Sequence, residues 1–152
     1  MTAQECKAPV VTVDLGHRFM TDILELRFSG PLALQAGSKL WVSLLYALLE
    51  GASTELGIRR DDLDGTIYYH AIGDPPSLVL FDNVPGGAGH TQRVKDHLNE
   101  SLAAAFERVA GCECGLETSC YECLRSYQNQ HFHDQLVRGE VVAFLRTALV
   151  RA

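Results

Sequence analysis

The sequence lacks any stretch suited to crossing a membrane: no run of about 18 or more uncharged apolar residues occurs in it. The opening residues, MTAQECKAPVVTVDL, have neither the basic nor the apolar region of a signal peptide. Both absences predict a chain without a membrane partner that stays in the cytoplasm. Basic charge is also scarce, with 13 Lys and Arg against 19 Asp and Glu and a formal net charge of −6. Non-specific nucleic-acid binding draws on Lys and Arg meeting phosphate, so an acidic chain needs a local basic patch for it. The two candidates are weak, since Arg59-Arg60 runs straight into Asp61-Asp62 and Arg93 and Lys95 sit beside Asp96. Internal repeats, low-complexity tracts and linkers are missing too. At 152 residues and 47% hydrophobic composition, the chain supports one buried core. The predicted organisation is a loose N-terminal segment over 1–14 and one folded domain over 15–152.

Hydrophobic periodicity supplies the elements. Leu24, Leu26 and Phe28 alternate with Glu25 and Arg27, the mark of a strand with one wet face. Val11, Val13 and Leu15 form a similar run, which predicts a hairpin over 10–28 around Gly16-His17-Arg18. From Ser38 to Leu56, Leu40, Leu44, Leu48 and Ala52 recur every fourth residue beside Trp41, Leu45 and Leu49. This predicts a helix buried over a wide arc, with Ser38 as N-cap and Gly57 just past its end. A strand is expected over Ile67–Ile72, and the unbroken apolar run Leu78–Phe81 suits an interior strand covered on both faces. One helix carrying Val94, Leu98, Leu102 and Phe106 should follow and end at Gly111, and a last helix should run from about Asp134 to Leu149. Partial alternation of strands and helices points to an α/β class, shading into mixed α+β. The expected architecture is a mixed sheet packed by about three helices. Tyr68, Tyr69, Tyr121 and Tyr127 read as half-buried packing residues rather than base-stacking platforms.

Against this ordinary background, four of the five cysteines stand together. Cys112, Cys114, Cys120 and Cys123 have the spacing C-x-C-x5-C-x2-C between the last two predicted helices. A tetrahedral zinc centre needs four thiolates at about 2.3 Å from one ion, and two short cysteine pairs on adjoining turns supply them with little chain to order. Four unrelated thiols are the plainer alternative. Iron–sulfur clusters also take four thiolates, and spacing alone does not separate them from zinc. An all-cysteine site has no open position for an activated water, so its expected role is structural. His131 and His133 lie close enough in sequence for one of them to replace a cysteine. Cys6 is remote from the cluster, and an odd thiol fits a reducing compartment.

The second constellation is the loop Asp82-Asn83-Val84-Pro85-Gly86-Gly87-Ala88-Gly89, followed by His90, between a strand and a helix. Such a turn can offer backbone N–H groups to phosphate. It is no P-loop, because Gly-Lys-Ser/Thr is absent, and Gln92 stands where G-x-G-x-x-G needs its third glycine. The simpler reading is that Gly86, Gly87 and Gly89 permit a tight turn while Asp82 accepts loop N–H bonds. Asp82 with His90 as an acid–base pair in a small phosphate-binding enzyme is the other; no G-x-S-x-G supplies a nucleophile.

Taken in order, Leu78 to Gly89, then Cys112-x-Cys114 and Cys120-Tyr121-Glu122-Cys123-Leu124, resemble the MrfA zinc-binding (MZB) domain family. Domains of this family lie C-terminal to the motor of DEAD/DEAH-box helicases of DNA repair and phage defence. The stretch His17–Phe28 is similar to the family's opening strand. The resemblance implies one Zn2+ held by Cys112, Cys114, Cys120 and Cys123, and a helicase motor as partner. It implies nucleic acid met through that complex and no catalysis in this chain, which has no room for motor domains.

Overall fold

The computed structural model describes residues 11–13, 16–34 and 37–149. Cys6 and most of the expected loose segment lie outside them. Among the described residues the architecture is one antiparallel sheet, packed on one face by helices, with the cysteine cluster between the last two of these helices. The expected α/β class with helices on a sheet holds.

The central element is helix α2 (Ser38–Leu56), preceded by a single turn α1 (Pro31–Leu34). Leu44, Leu48, Leu49 and Ala52 of α2 are fully buried, and Leu40, Trp41 and Leu45 nearly so. A helix covered nearly all round must sit inside its domain. It stops at Gly57, whose φ of +62° is left-handed. The Ile58 N–H returns to the Ser53 carbonyl at 3.1 Å and the Gly57 N–H to the Thr54 carbonyl at 3.3 Å. These are the two bonds of a Schellman ending. The other end differs from expectation: Gly37, extended at ψ 166°, is the N-cap, and Ser38 is already helical. Glycine at this position has no side chain with which to cap the helix.

Strands β1 (Ile23–Leu26), β2 (Leu63–Tyr68) and β3 (Ser77–Asp82) pair in the order β1-β3-β2, antiparallel throughout. Leu24 and Gly65 flank Leu80, while Leu26 and Ile67 flank Leu78, so one face presents these residues to the core. Three expectations change here. The partner of β1 is β3, not the run around Val11 and Val13, which is exposed and unpaired. The second strand lies at 63–68 rather than 67–72. Gly65 explains the shift, because a Cβ there would stand 2.8 Å from Leu45 Cδ1, so α2 packs directly on this strand. Lastly, β3 is central in the sheet but not covered on both faces: Leu78 and Leu80 are fully buried, whereas Val79 and Phe81 are only half-buried. With the described helices on one face, period-2 burial survives within an uninterrupted apolar run.

The helix expected after the glycine loop is two, α3 (His90–Asp96) and α4 (Leu98–Gly111), meeting at His97 with φ −118° and ψ 38°. The buried line of α4 is Ser101, Ala105 and Val109, while Leu98, Leu102 and Phe106 are half-buried beside it. Small residues take the centre because α4 crosses α2 at Gly51. A Cβ on Gly51 would meet the Ser101 carbonyl and lie 2.7 Å from Ala105 Cβ. Residues Gln130–Gln135 form a 3-10 turn, so the last helix, α5, starts at Arg138 and runs to Leu149. It packs Phe144 against Phe28 and Trp41, with ring centroids 5.7 and 6.0 Å apart.

The tyrosines depart furthest from expectation. Tyr68, Tyr69, Tyr121 and Tyr127 are 55%, 63%, 64% and 82% exposed, so they are surface residues rather than packing residues. The first two lie at and beyond the end of an edge strand, the others on the loop that carries the cysteines.

The α2–α4 crossing yields a direct test. Gly51→Ala raises helix propensity yet inserts a methyl group where the two backbones meet, and overpacking of this kind costs about 1–3 kcal/mol. Urea unfolding should show a lowered midpoint with an unchanged m-value, whereas Gly57→Asn at the left-handed helix end should be far milder.

Candidate metal centre

Cys112 follows the last residue of α4 directly, so the end of that helix fixes the first sulfur. A turn from Gly115 to Thr118, closed by the Thr118 N–H on the Gly115 carbonyl at 3.3 Å, brings the chain back towards it. At the second pair the backbone curls around one acceptor. The N–H groups of Cys123, Leu124 and Arg125 all donate to the Cys120 carbonyl, at 3.2, 3.1 and 2.9 Å. The Cys120 N–H in turn lies 3.3 Å from Cys123 Sγ. This curl anchors Leu124, 1% exposed, and Cys123, fully buried, in the core.

The result is four thiols facing one point. Sγ–Sγ separations are 3.5 Å for Cys112–Cys114, 3.4 Å for Cys112–Cys120, 3.8 Å for Cys114–Cys123 and 3.9 Å for Cys120–Cys123. All four sulfurs lie within 4.8 Å of one another, and none is in a disulfide. Four sulfurs at about 2.3 Å from a central zinc define a tetrahedron with edges of about 3.8 Å, so the set fits one ion closely. The Cys114 backbone N–H, with help from neighbouring thiols, lowers Cys112 to about 7. Burial, reinforced by the Cys112 and Cys120 sulfurs, raises Cys114, and burial reinforced by Cys114 and Cys112 pushes Cys123 up to about 12. Four sulfurs this close cannot all ionise unless a cation stands among them.

Neither histidine joins this group. His133 Nε2 lies 3.1 Å from both the Ser126 carbonyl and Asn129 Oδ1, and its ring packs edge-on against Tyr121. His131 is exposed and also outside the cluster. Asn129 is the buried pin of this loop, donating to the Leu124 carbonyl and accepting the Ser126 N–H, each at 2.8 Å.

Residues that sequence reasoning missed hold the centre to the helices. Arg138, 7% exposed, donates through Nη1 to the Val109 carbonyl at 2.8 Å and through Nη2 to the carbonyl of Cys114. Its backbone N–H reaches the Thr118 carbonyl at 3.0 Å, and that of Gly139 reaches the Leu116 carbonyl at 2.9 Å. Arg108 Nε donates to the Cys123 carbonyl at 3.0 Å, while its Nη2 pairs with Glu50 Oε2 at 3.3 Å. Glu50 also meets Arg60 Nε at 3.4 Å, linking the cluster to α2 and to the entry of β2. The one available signal was an arginine set among Leu136, Val137, Val141 and Val142.

The glycine loop is elsewhere, separated from the cysteines by the length of α3 and α4. Asp82 is fully buried at the end of β3 and fills the loop itself. Oδ2 accepts the N–H groups of Ala88 and His90 at 2.6 and 3.0 Å, and Oδ1 accepts that of Thr91 at 2.8 Å. The Gly86 N–H goes to the Met20 carbonyl and the Gly87 N–H to that of Val84. Gly86, Gly87 and Gly89 all have positive φ, and a Cβ on Gly87 would collide with the Asp22 carboxylate. The anion in this loop is thus one of the chain's own carboxylates. Among the described residues His90 makes no side-chain hydrogen bond to it, and its buried Nδ1 has no hydrogen-bond partner.

A sequence profile of the MrfA Zn-binding domain (MZB) matches residues 44–124, which take in both the glycine loop and all four cysteines of the cluster. This chain belongs to the MZB family. Druantia protein DruE of Escherichia coli (strain UMEA 4076-1) is 30% identical to it over 164 residues, covering 97% of this chain and 9% of DruE. ATP-dependent helicase hrq1 of Schizosaccharomyces pombe is 30% identical over 70 residues, covering 45% of this chain and 6% of hrq1. In crystal structures of the DUF1998 helicase MrfA bound to DNA, and to DNA and AMPPNP, the similar fold superposes with TM-scores of 0.56 and 0.58. Identity there is 18% and 17%, over 80% and 82% of this chain and 15% of MrfA. The MZB domain described here spans less than a tenth of its curated relatives' length. It is a helicase-associated module of a zinc-binding family, and among its described residues no helix is long and apolar enough to cross a membrane.

Asp82 gives this domain a pH signature. Burial opposes its ionisation, but the three backbone N–H groups outweigh that and hold its carboxyl below the ordinary range. A depressed folded-state pKa stabilises the fold fully above the unfolded value of about 3.9, and the contribution is lost as pH falls through the folded value. Asp82→Asn turns a donor toward these N–H groups and should cost about 3 kcal/mol at neutral pH. Urea melts from neutral to acid pH should show wild-type and variant stabilities converging at the acid end.

Proposed function

We propose that this MZB domain is a non-catalytic structural zinc module, with one Zn2+ held by Cys112, Cys114, Cys120 and Cys123. The observation that carries the reading is the tetrahedron of sulfurs, 3.4 to 3.9 Å on the four measured edges, set between α4 and α5. Clusters of several irons place the thiolates on different metal atoms and so spread them further apart. These separations favour a single ion. With every position filled by cysteine, the ion is a staple rather than a Lewis acid. Its binding energy becomes folding energy, because it ties the end of α4 to the approach of α5.

The module docks on the motor of a DNA-repair or phage-defence helicase and helps to shape the path of nucleic acid. Support comes from relatives that are helicase-sized chains containing this domain as a small fraction of their length. It comes also from Tyr121 and Tyr127, which stand exposed on the loop that the metal would hold rigid. Exposed aromatics on a rigid loop are suited to stacking on bases, with phosphate neutralisation left to the rest of the complex in view of this chain's acidity. The alternative of a phosphate-binding enzyme at the Asp82–Gly89 loop is disfavoured, because Asp82 already occupies the N–H groups that a phosphate would use.

Metal analysis with a visible spectrum, on protein purified without a histidine tag or added metal, tests the central claim. One colourless zinc per chain is expected. Brown protein containing iron would overturn it. Cys120→Ser or Cys123→Ser should release the metal and lower the melting temperature by about 10 °C or more, on a loss of at least about 3 kcal/mol. Unchanged metal content and melting curve would refute the assignment of these ligands.

A further inference from the structure

Arg138 poses an electrostatic problem. Its side chain is buried at 7% exposure at the start of α5, and among the described residues no carboxylate lies within ion-pair distance of it. Arg108, the other arginine bonded to the cysteine loop, differs in this respect, because Glu50 faces it at 3.3 Å. A buried guanidinium with only neutral carbonyls around it is costly, and among the described residues its Nε has no hydrogen-bond partner either. Such a group persists where a fixed negative charge lies close by. The carbonyl it holds through Nη2 belongs to Cys114, and the one it holds through Nη1 belongs to Val109, three residues before Cys112. Four thiolates around one divalent cation carry a net charge of −2, which is the counter-charge this arginine lacks.

We propose that Arg138 is the resident counter-ion and positioning residue of the thiolate centre. The inference rests on the metal reading given above and deepens it. The guanidinium offsets the excess negative charge of the loaded centre. Through its two carbonyl bonds it also fixes the end of α4 against the Cys112–Cys114 segment, so that both sulfurs hold their orientation. The backbone N–H groups of Arg138 and Gly139, bonded to Thr118 and Leu116, carry the same clamp across to the approach of Cys120. A Cβ on Gly139 would stand 2.8 Å from the Leu116 carbonyl, so the loop and the start of α5 are already as close as backbones can pack.

Charge and shape are separated by Arg138→Lys, which keeps the cation, and Arg138→Met, which keeps a similar length without it. Cobalt(II) is titrated into the metal-free 152-residue chain, followed through the thiolate-to-cobalt absorption and then displaced with zinc to obtain affinities. The Met variant should bind about tenfold to a hundredfold more weakly than wild type, the usual range for losing an outer partner of a metal site. The Lys variant should keep most of the affinity, and the charge-transfer band should shift in the Met variant but not in the Lys variant. A merely structural arginine would not move that band. Equal affinities for Met variant and wild type would overturn the proposal, as would a Lys variant that binds about tenfold or more weakly than wild type, and the second comparison survives even if the Met variant cannot fold. Wild type that takes up no cobalt or zinc would instead bring down the metal reading itself.

Discussion

Repulsion among four sulfurs held at 3.4 to 3.9 Å is the constraint on which the last third of this chain depends. Without a cation between them, Cys114 and Cys123 resist ionisation, raised by burial first and by neighbouring sulfurs second, while Cys112 is lowered to about 7. With one, they become a rigid node joining the end of α4, the tight curl at Cys120 and the start of α5. The loop from Glu113 to Thr118 is largely exposed, so the hydrophobic contact in this region comes from Val109, Cys123, Leu124 and Leu136 on either side of it.

The rest of the fold is organised by α2. It is buried nearly all round, and its two flanks meet their neighbours through glycine: Gly51 at the crossing with α4, and Gly65 on β2, which lets Leu45 come against the strand. Glu50, one residue before the helix crossing, gathers Arg108 and Arg60 and so ties the node to this central helix through Arg108 and the Cys123 carbonyl. Close backbone approach and a charge bridge therefore act side by side within one turn of α2.

Legibility in the sequence followed the range of the interactions. The cysteine spacing, α2 with its glycine ending and the Asp82 loop were readable because each rests on residues near in sequence: the Schellman bonds span a few positions, and Asp82 reaches residues 88 to 91. Features decided by distant partners were not. The bounds of β2 follow from the contact of Gly65 with Leu45, and the buried line of α4 from Gly51. Arg138 became visible only when Val109 and Cys114 were brought to it. The tyrosines misled because aromatic residues bury themselves in most cores, whereas here they flank the cysteine cluster and the sheet edge.

The strand order has a kinetic side. β2 and β3 are joined by a short turn through Gly73, whereas β1 reaches β3 only after the whole of α2 and β2, with Ile23 opposite Phe81. The entropy of closing so long a loop must be met before that pairing is rewarded, so the β2–β3 hairpin on α2 is the natural nucleus and β1 a late arrival. The same order makes β1 the part of the sheet whose loss disturbs least, since α2, the hairpin and the cysteine node remain connected without it.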